Sequence, residues 1–149
     1  REAIEQLCRR YWKPVYAFIR SASPSGNEEA KDTVQDFFIE LIEGPILERW
    51  SADQGNFRSY LRGALRYFLL NRREKDAAQR RGGGKKPLAL DDDAAGLAVE
   101  GHEAAPEVLF DRQWAASVMD GALRDLREEM LAEGREIQLR AFDRSLIRL

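Results

Sequence analysis

The chain has 149 residues, 44% of them hydrophobic and 34% charged, with a formal net charge of −2. That length suits one domain, or one domain with a small appendage, and the apolar share is enough for a core. No run of about 18 apolar residues exists to span a membrane, and a lone cysteine, Cys8, excludes an internal disulfide and fits a reducing cytoplasm. Cys8 lies among apolar residues and is expected as a small buried hydrophobe. No basic stretch followed by an apolar segment marks a signal peptide at the start, and Arg1 in place of Met is expected of a trimmed chain.

The first helix is predicted over Glu2 to Arg20, with Ile4, Leu7, Cys8, Tyr11, Trp12, Val15, Phe18 and Ile19 at helical spacing. Pro14 removes an amide donor, so a kink or a fresh start near Lys13 is expected. Residues 21–26 read as a loop. Asn27 is placed as the N-cap of a second helix running to Glu43, with Glu28 and Glu29 favoured by the dipole of its first turn. Its predicted buried stripe is Ala30, Val34, Phe37, Phe38, Leu41 and Ile42, and Gly44-Pro45 stops it. A short apolar turn (Ile46, Leu47, Trp50) and a polar loop (residues 51–56) follow.

The helix from Phe57 to about Arg81 has the clearest pattern. Phe57, Tyr60, Leu61, Ala64, Leu65, Phe68 and Leu69 mark a core side, while Arg58, Arg62 and Arg66 recur every fourth residue on another face. Gly82-Gly83-Gly84 ends it. Residues 82–105 read as a linker by composition. Pro106 fits the first turn of another helix, with Phe110, Trp114, Val118, Met119, Leu123, Leu126 and Met130 predicted inward, and Gly134 marks its end. A last helix over 135–148 is assigned Ile137, Ala141, Leu146 and Ile147. No strand period occurs, so the expectation is all-α.

Charge is sorted along the chain. Residues 57–86 carry ten basic side chains against two acidic ones, a net of +8, and residues 22–56 carry eight acids against two bases, a net of −6. Two blocks of opposite sign point to two different partners. Residues 57–73 contain no acid, so Arg58, Arg62 and Arg66 have no partner on their own helix, and such a line of guanidinium groups suits a phosphate backbone. Trp50, Tyr60, Tyr67 and Phe68 add rings able to stack on bases, though Tyr60 and Phe68 fall on the core side.

Enzyme readings fail on spacing. Gly82 to Lys86 lacks the strand and the following Ser/Thr of a phosphate loop, Asp91-Asp92-Asp93 lacks the spaced ligands of a calcium loop, and His102 has no convergent ligand near it. Neither a cofactor nor a metal is expected.

Three segments carry a family resemblance. Asp32-Thr33-Val34-Gln35-Asp36, with Leu41 beyond it, resembles the Asp-x-x-Gln-acid core-binding motif of bacterial sigma factors. Phe57-Arg58-Ser59-Tyr60, followed by Leu65-Arg66 and Leu69, resembles their next helix, which recognises and melts the −10 promoter element. The opening Leu7 to Tyr16 looks like their first conserved helix. The three stand in family order over residues 1–90. The glycine-rich exit and Leu88-Ala89-Leu90-Asp91 look most like the extracytoplasmic-function (ECF) group, and Pro106–Ala132 resembles the segment leading into the family's fourth region.

The resemblance implies a helical bundle of sigma region 2 over residues 1–81, a linker over 82–105, and a helical pair over 106–149 leading into region 4. It implies that Asp32, Gln35 and Asp36 contact the β′ clamp helices of core RNA polymerase. Arg58, Arg62, Arg66 and Arg73 would hold promoter DNA, with Tyr67, Leu70 and Asn71 facing base edges. The loop with Trp50, Ser51, Asp53, Gln54 and Asn56 would capture a flipped base. An anti-sigma factor is a further partner that the family admits. Two features depart from the family. Gly63-Ala64 stands where housekeeping members carry a tryptophan pair, which puts wedge-driven melting in doubt, and no helix-turn-helix for the −35 element is found up to Leu149. Two other readings of the residues stay open: a helical DNA- or RNA-binding regulator independent of polymerase, and a helical protein-interaction module.

Overall fold

The computed structural model describes residues 1–82 and 105–147, and it turns the helical periodicity into six α-helices and one 3₁₀ turn. They are α1 (Glu2–Ala22), α2 (Asn27–Glu43), α3 (Ile46–Arg49), the 3₁₀ turn η1 (Ala52–Gln54), α4 (Phe57–Arg81), α5 (Pro106–Ala132) and α6 (Glu136–Leu146). No strand occurs among the described residues. The expectations placed on 83–104, including Lys85, Lys86, Asp91 to Asp93 and His102, lie outside them, as does Arg148.

One apolar cluster takes side chains from four helices. Val15, Phe18 and Ile19 of α1 meet Val34, Phe37 and Leu41 of α2, Leu61, Leu65 and Phe68 of α4, and Phe110 of α5. Edge-to-face ring pairs run through it, Phe37 with Phe68 at 5.3 Å between centroids and Phe18 with Phe110 at 6.4 Å. α1 lies against both α2 and α5, so α5 is packed on the helices of residues 1–81, and α6 lies against α5.

Several local expectations change. α1 runs unbroken from Glu2 to Ala22 with Pro14 inside it, and no fresh start occurs at Lys13. The missing donor costs one hydrogen bond, whereas the following turn buries Val15, Phe18 and Ile19 almost completely, and that burial keeps the segment helical past the proline. Asn27 is the first residue of α2 rather than its cap, which is Gly26 without a side-chain bond, and Asn27 Oδ1 accepts from the Tyr16 hydroxyl at 3.4 Å. Cys8 is half-buried, and partial burial pushes its thiol up from the ordinary value. On α2, Ile42 is 38% exposed and lies outside the stripe assigned to it.

The largest corrections concern α5 and α6. Of the residues assigned inward on α5, Phe110 and Met130 are buried, but Val118, Met119 and Leu126 are exposed. On α6, Ile137 is exposed at 81% and Ala141 is exposed too, Ile147 just past its end is exposed at 85%, and Leu139 is the buried residue. Periodicity marked an apolar face on each helix. The described chain buries α5 most deeply at Pro106 and Phe110 and again at Met130, and it covers the stretch between on one face only, with Ser117, Gly121 and Leu123 half-buried while Val118, Met119 and Leu126 point outward.

Candidate nucleic-acid interface

The site is built on α4. Asn56 caps it, its side-chain oxygen accepting the Ser59 N–H at 2.8 Å. Gly82 ends it at φ 74°, a left-handed conformation that glycine adopts without strain, with its N–H turned back to Ala78 and Gln79. Between these stops Leu61, Ala64, Leu65, Phe68 and Leu69 are buried, and Arg58, Arg62 and Arg66 line a half-buried face. Four residues rise about 6 Å along a helix, so the guanidinium groups leave the backbone at regular steps.

The stripe is not free. Arg62 Nη1 donates to Asp111 Oδ2 at 2.6 Å, Arg66 pairs with Glu107, and Arg58 Nε stands 3.5 Å from Asp111 Oδ1, which is ion pairing without a hydrogen bond. The Arg58 guanidinium also lies 4.1 Å from the centroid of the Trp114 ring, a cation–π contact. Rising numbers on α5 (107, 111, 114) meet falling numbers on α4 (66, 62, 58), so the paired segments run antiparallel. Phe110, between these contacts, is fully buried against Tyr11 and Phe18. Partial burial alone would raise the Glu107 pKa. The hydrogen bond from Arg66, a backbone bond and the charges of Arg66 and Arg62 outweigh it, and the carboxyl is held below its ordinary value.

The remaining expected DNA contacts are dispersed. Arg73 is exposed and donates to the carbonyl of Ala22 at the end of α1. Tyr67, Leu70 and Asn71 are half-buried, and Asn71 Oδ1 is a buried acceptor with no hydrogen-bond partner. Gly63 is exposed while Ala64 is 6% exposed, so only the first position of the departed tryptophan pair faces outward.

The loop before α4 is held by rings. Trp50 packs edge-on against Phe57 at 5.4 Å, and the Tyr60 hydroxyl donates to the Ile46 carbonyl at 2.7 Å, fixing α3 to α4. Ser51 and Asp53 are exposed, and a hydrogen bond from Ser51 and a backbone bond hold the Asp53 carboxyl below its ordinary value. Asn56 is also exposed, but its amide oxygen is already used in the helix cap. Gln54 belongs to the turn by its backbone, and its side chain lies outside the described part.

The second face lies on α2. Asp32, Gln35 and Asp36 are all exposed, one turn apart or less. Steps of three and four continue the same face to Ile39 and Ile42, exposed at 54% and 38%. Asp36 Oδ2 accepts from Arg72 Nη1 at 2.5 Å, which ties this face to α4.

Sequence reasoning missed two groups. Ile39 was assigned no role, and Ile42 was counted with the core. Glu107, Asp111 and Trp114 went unnoticed as partners of the arginines. Their signal was present, because acids four residues apart match arginines four residues apart, but nothing in the sequence says which two helices meet. Among the described residues no group of His, Cys, Asp and Glu is arranged to hold a metal ion, and no helix is long and apolar enough to cross a membrane.

The model of a family described as ECF sigma factor covers residues 1–147. No curated protein and no solved structure matches the chain.

Proposed function

The chain belongs to the ECF sigma factor family, and from that premise we propose a division of labour between its two faces: α2 docks core RNA polymerase, and α4 with the loop before it engages the −10 promoter element. As a sigma factor it serves transcription initiation, with core RNA polymerase and promoter DNA as partners. The finer reading is that Asp32, Gln35 and Asp36 contact the β′ clamp helices, with Ile39 and Ile42 extending the contact. Arg58, Arg62, Arg66 and Arg73 hold phosphates, Tyr67, Leu70 and Asn71 face base edges, and Trp50, Ser51, Asp53, Gln54 and Asn56 surround a captured base. Residues 1–81 form the polymerase- and promoter-binding part, joined through 82–105 to a helical pair that leads toward region 4. An anti-sigma factor is a partner of this reading, and the place of work is the cytoplasm, where core polymerase acts.

The observation that carries this reading is the exposed face of α2. Three exposed polar side chains share one side of the helix with Ile39 and Ile42, which are 54% and 38% exposed. Burying two such side chains against a partner contributes about 3 kcal/mol, before the polar contacts that set orientation.

Melting would proceed by trapping. Unstacking a base step costs a few kcal/mol, which phosphate contacts along α4 and stacking near Trp50 would offset. With Gly63-Ala64 in place of two tryptophans, base capture rather than a wedge carries the opening. No covalent step, metal or cofactor is called for.

The test is co-purification with core RNA polymerase. Gln35→Ala with Asp36→Ala, and separately Ile39→Asp, should weaken the complex at least tenfold while leaving the helical content unchanged. Full binding by all of these variants would refute the assignment of α2.

A further inference from the structure

The DNA-facing reading of α4 meets a physical obstacle. Each arginine of its stripe already has a partner from α5, in the order that an antiparallel helix would supply it. Glu107 and Asp111 hold the guanidinium groups that phosphates would need, and the Trp114 ring lies on Arg58, whose face a base could otherwise take. We propose that the first turns of α5, Glu107 to Trp114, are an internal competitor for the promoter-binding face, and that DNA gains the arginines by displacing them. This rests on the reading of α4 as the DNA-binding helix.

Three features make the contact fit for release. The ion-paired side chains are only partly buried, with 26–31% exposure on the arginines and 28–40% on the acids, so water and salt reach them. Phe110 is the one fully buried side chain that these turns place in the cluster, with Trp114 packed against it from outside. The other fully buried members of that cluster come from α1, α2 and α4, and α5 also packs along α1, so the release is local to these first turns and not a departure of the whole helix. The competition is also matched in kind. A carboxylate pair is replaced by phosphates and an indole by a base, and the arginines keep a counter-charge throughout.

When α5 covers the stripe in most molecules, the apparent DNA affinity is reduced by the fraction uncovered. Weakening the cover without disturbing Phe110 should therefore tighten DNA binding. A change that merely removes negative charge elsewhere should not.

The experiment measures binding of a fluorescein-labelled fork-junction DNA by the full chain, alone and on core polymerase, with Glu107→Gln/Asp111→Asn compared to Glu128→Gln/Glu129→Gln. Both doubles remove two charges, but the second pair is exposed on the far part of α5. The first double should bind DNA about tenfold tighter and the second within twofold of the parent. In the parent, adding DNA should speed amide hydrogen exchange over residues 107–114, since a helix released from its packing frays. Equal affinity of the two doubles, or DNA binding with no faster exchange in α5, overturns the competition. If Arg62→Ala/Arg66→Ala still abolishes binding in that case, α4 remains the DNA helix and only the cover is refuted. If the arginine variants bind as the parent does, the reading of α4 falls as well.

Discussion

Phe110→Ala should cost this protein more than any single ion pair it makes. The ring is fully buried, stacked 6.3 Å from Tyr11 and edge-on to Phe18 at 6.4 Å. Deleting a phenylalanine from such a site costs about 3–5 kcal/mol, the transfer term plus the cavity left behind. Each α4–α5 ion pair is partly exposed and is worth about 0.2–1 kcal/mol, and the Arg58–Trp114 contact adds about 0.5–1 kcal/mol. Apolar burial therefore decides whether α5 is seated, and the ions decide its register. At about 3 °C per kcal/mol for a chain of this size, Phe110→Ala should lower Tm by about 10 °C. Phe110→Leu, which conserves most of the volume, should cost less than about 1.5 kcal/mol. Urea unfolding followed by far-UV circular dichroism measures both. A Phe110→Ala midpoint within about 1 kcal/mol of the parent would refute the seating of α5 in the core.

Other outcomes follow from the same geometry. Asn56→Ala removes the bond to the Ser59 N–H and should destabilise α4 by about 1 kcal/mol, whereas Asn56→Asp should not, both by thermal melting. Gly63→Ala should stabilise by about 1 kcal/mol, because the position is helical and a Cβ there meets nothing within 4 Å. Gly44→Ala should destabilise in the same assay, since its Cβ would stand 2.4 Å from the Glu40 carbonyl oxygen, a backbone atom that cannot swing aside. The depressed Glu107 pKa sets a pH dependence. Its contribution to seating α5 is present above the ordinary value of 4.5 and is lost as pH falls through the lower folded value, where the carboxyl gains a proton while Arg62 and Arg66 stay charged. Amide exchange in α5 should speed up over that acid range, and Glu107→Gln should remove the corresponding part of the dependence.

Helical class, element order and most of the core were legible in the sequence because they follow from period alone. Val34, Phe37 and Leu41 on α2, and Leu61, Leu65 and Phe68 on α4, recur at steps of three and four, and any such stripe must find cover. The stops at Gly44 and Gly82 and the exposure of Asp32, Gln35 and Asp36 were legible for the same local reason. Other features were decided between elements. Ile42 has core spacing, yet α2 turns it outward beside Ile39, because the bundle covers less of the helix than its apolar residues span. Ile137 on α6 likewise has core spacing and no cover among the described residues.

The arginine stripe shows the same division most sharply. The sequence alone established that Arg58, Arg62 and Arg66 share one face and that no acid on their own helix can neutralise them. Only the tertiary structure decided that Glu107 and Asp111, at least 41 residues away, supply that charge. The physical reason is that helical pitch fixes which side chains share a face, whereas the partner of a face is chosen by the packing of Phe110 and the whole core.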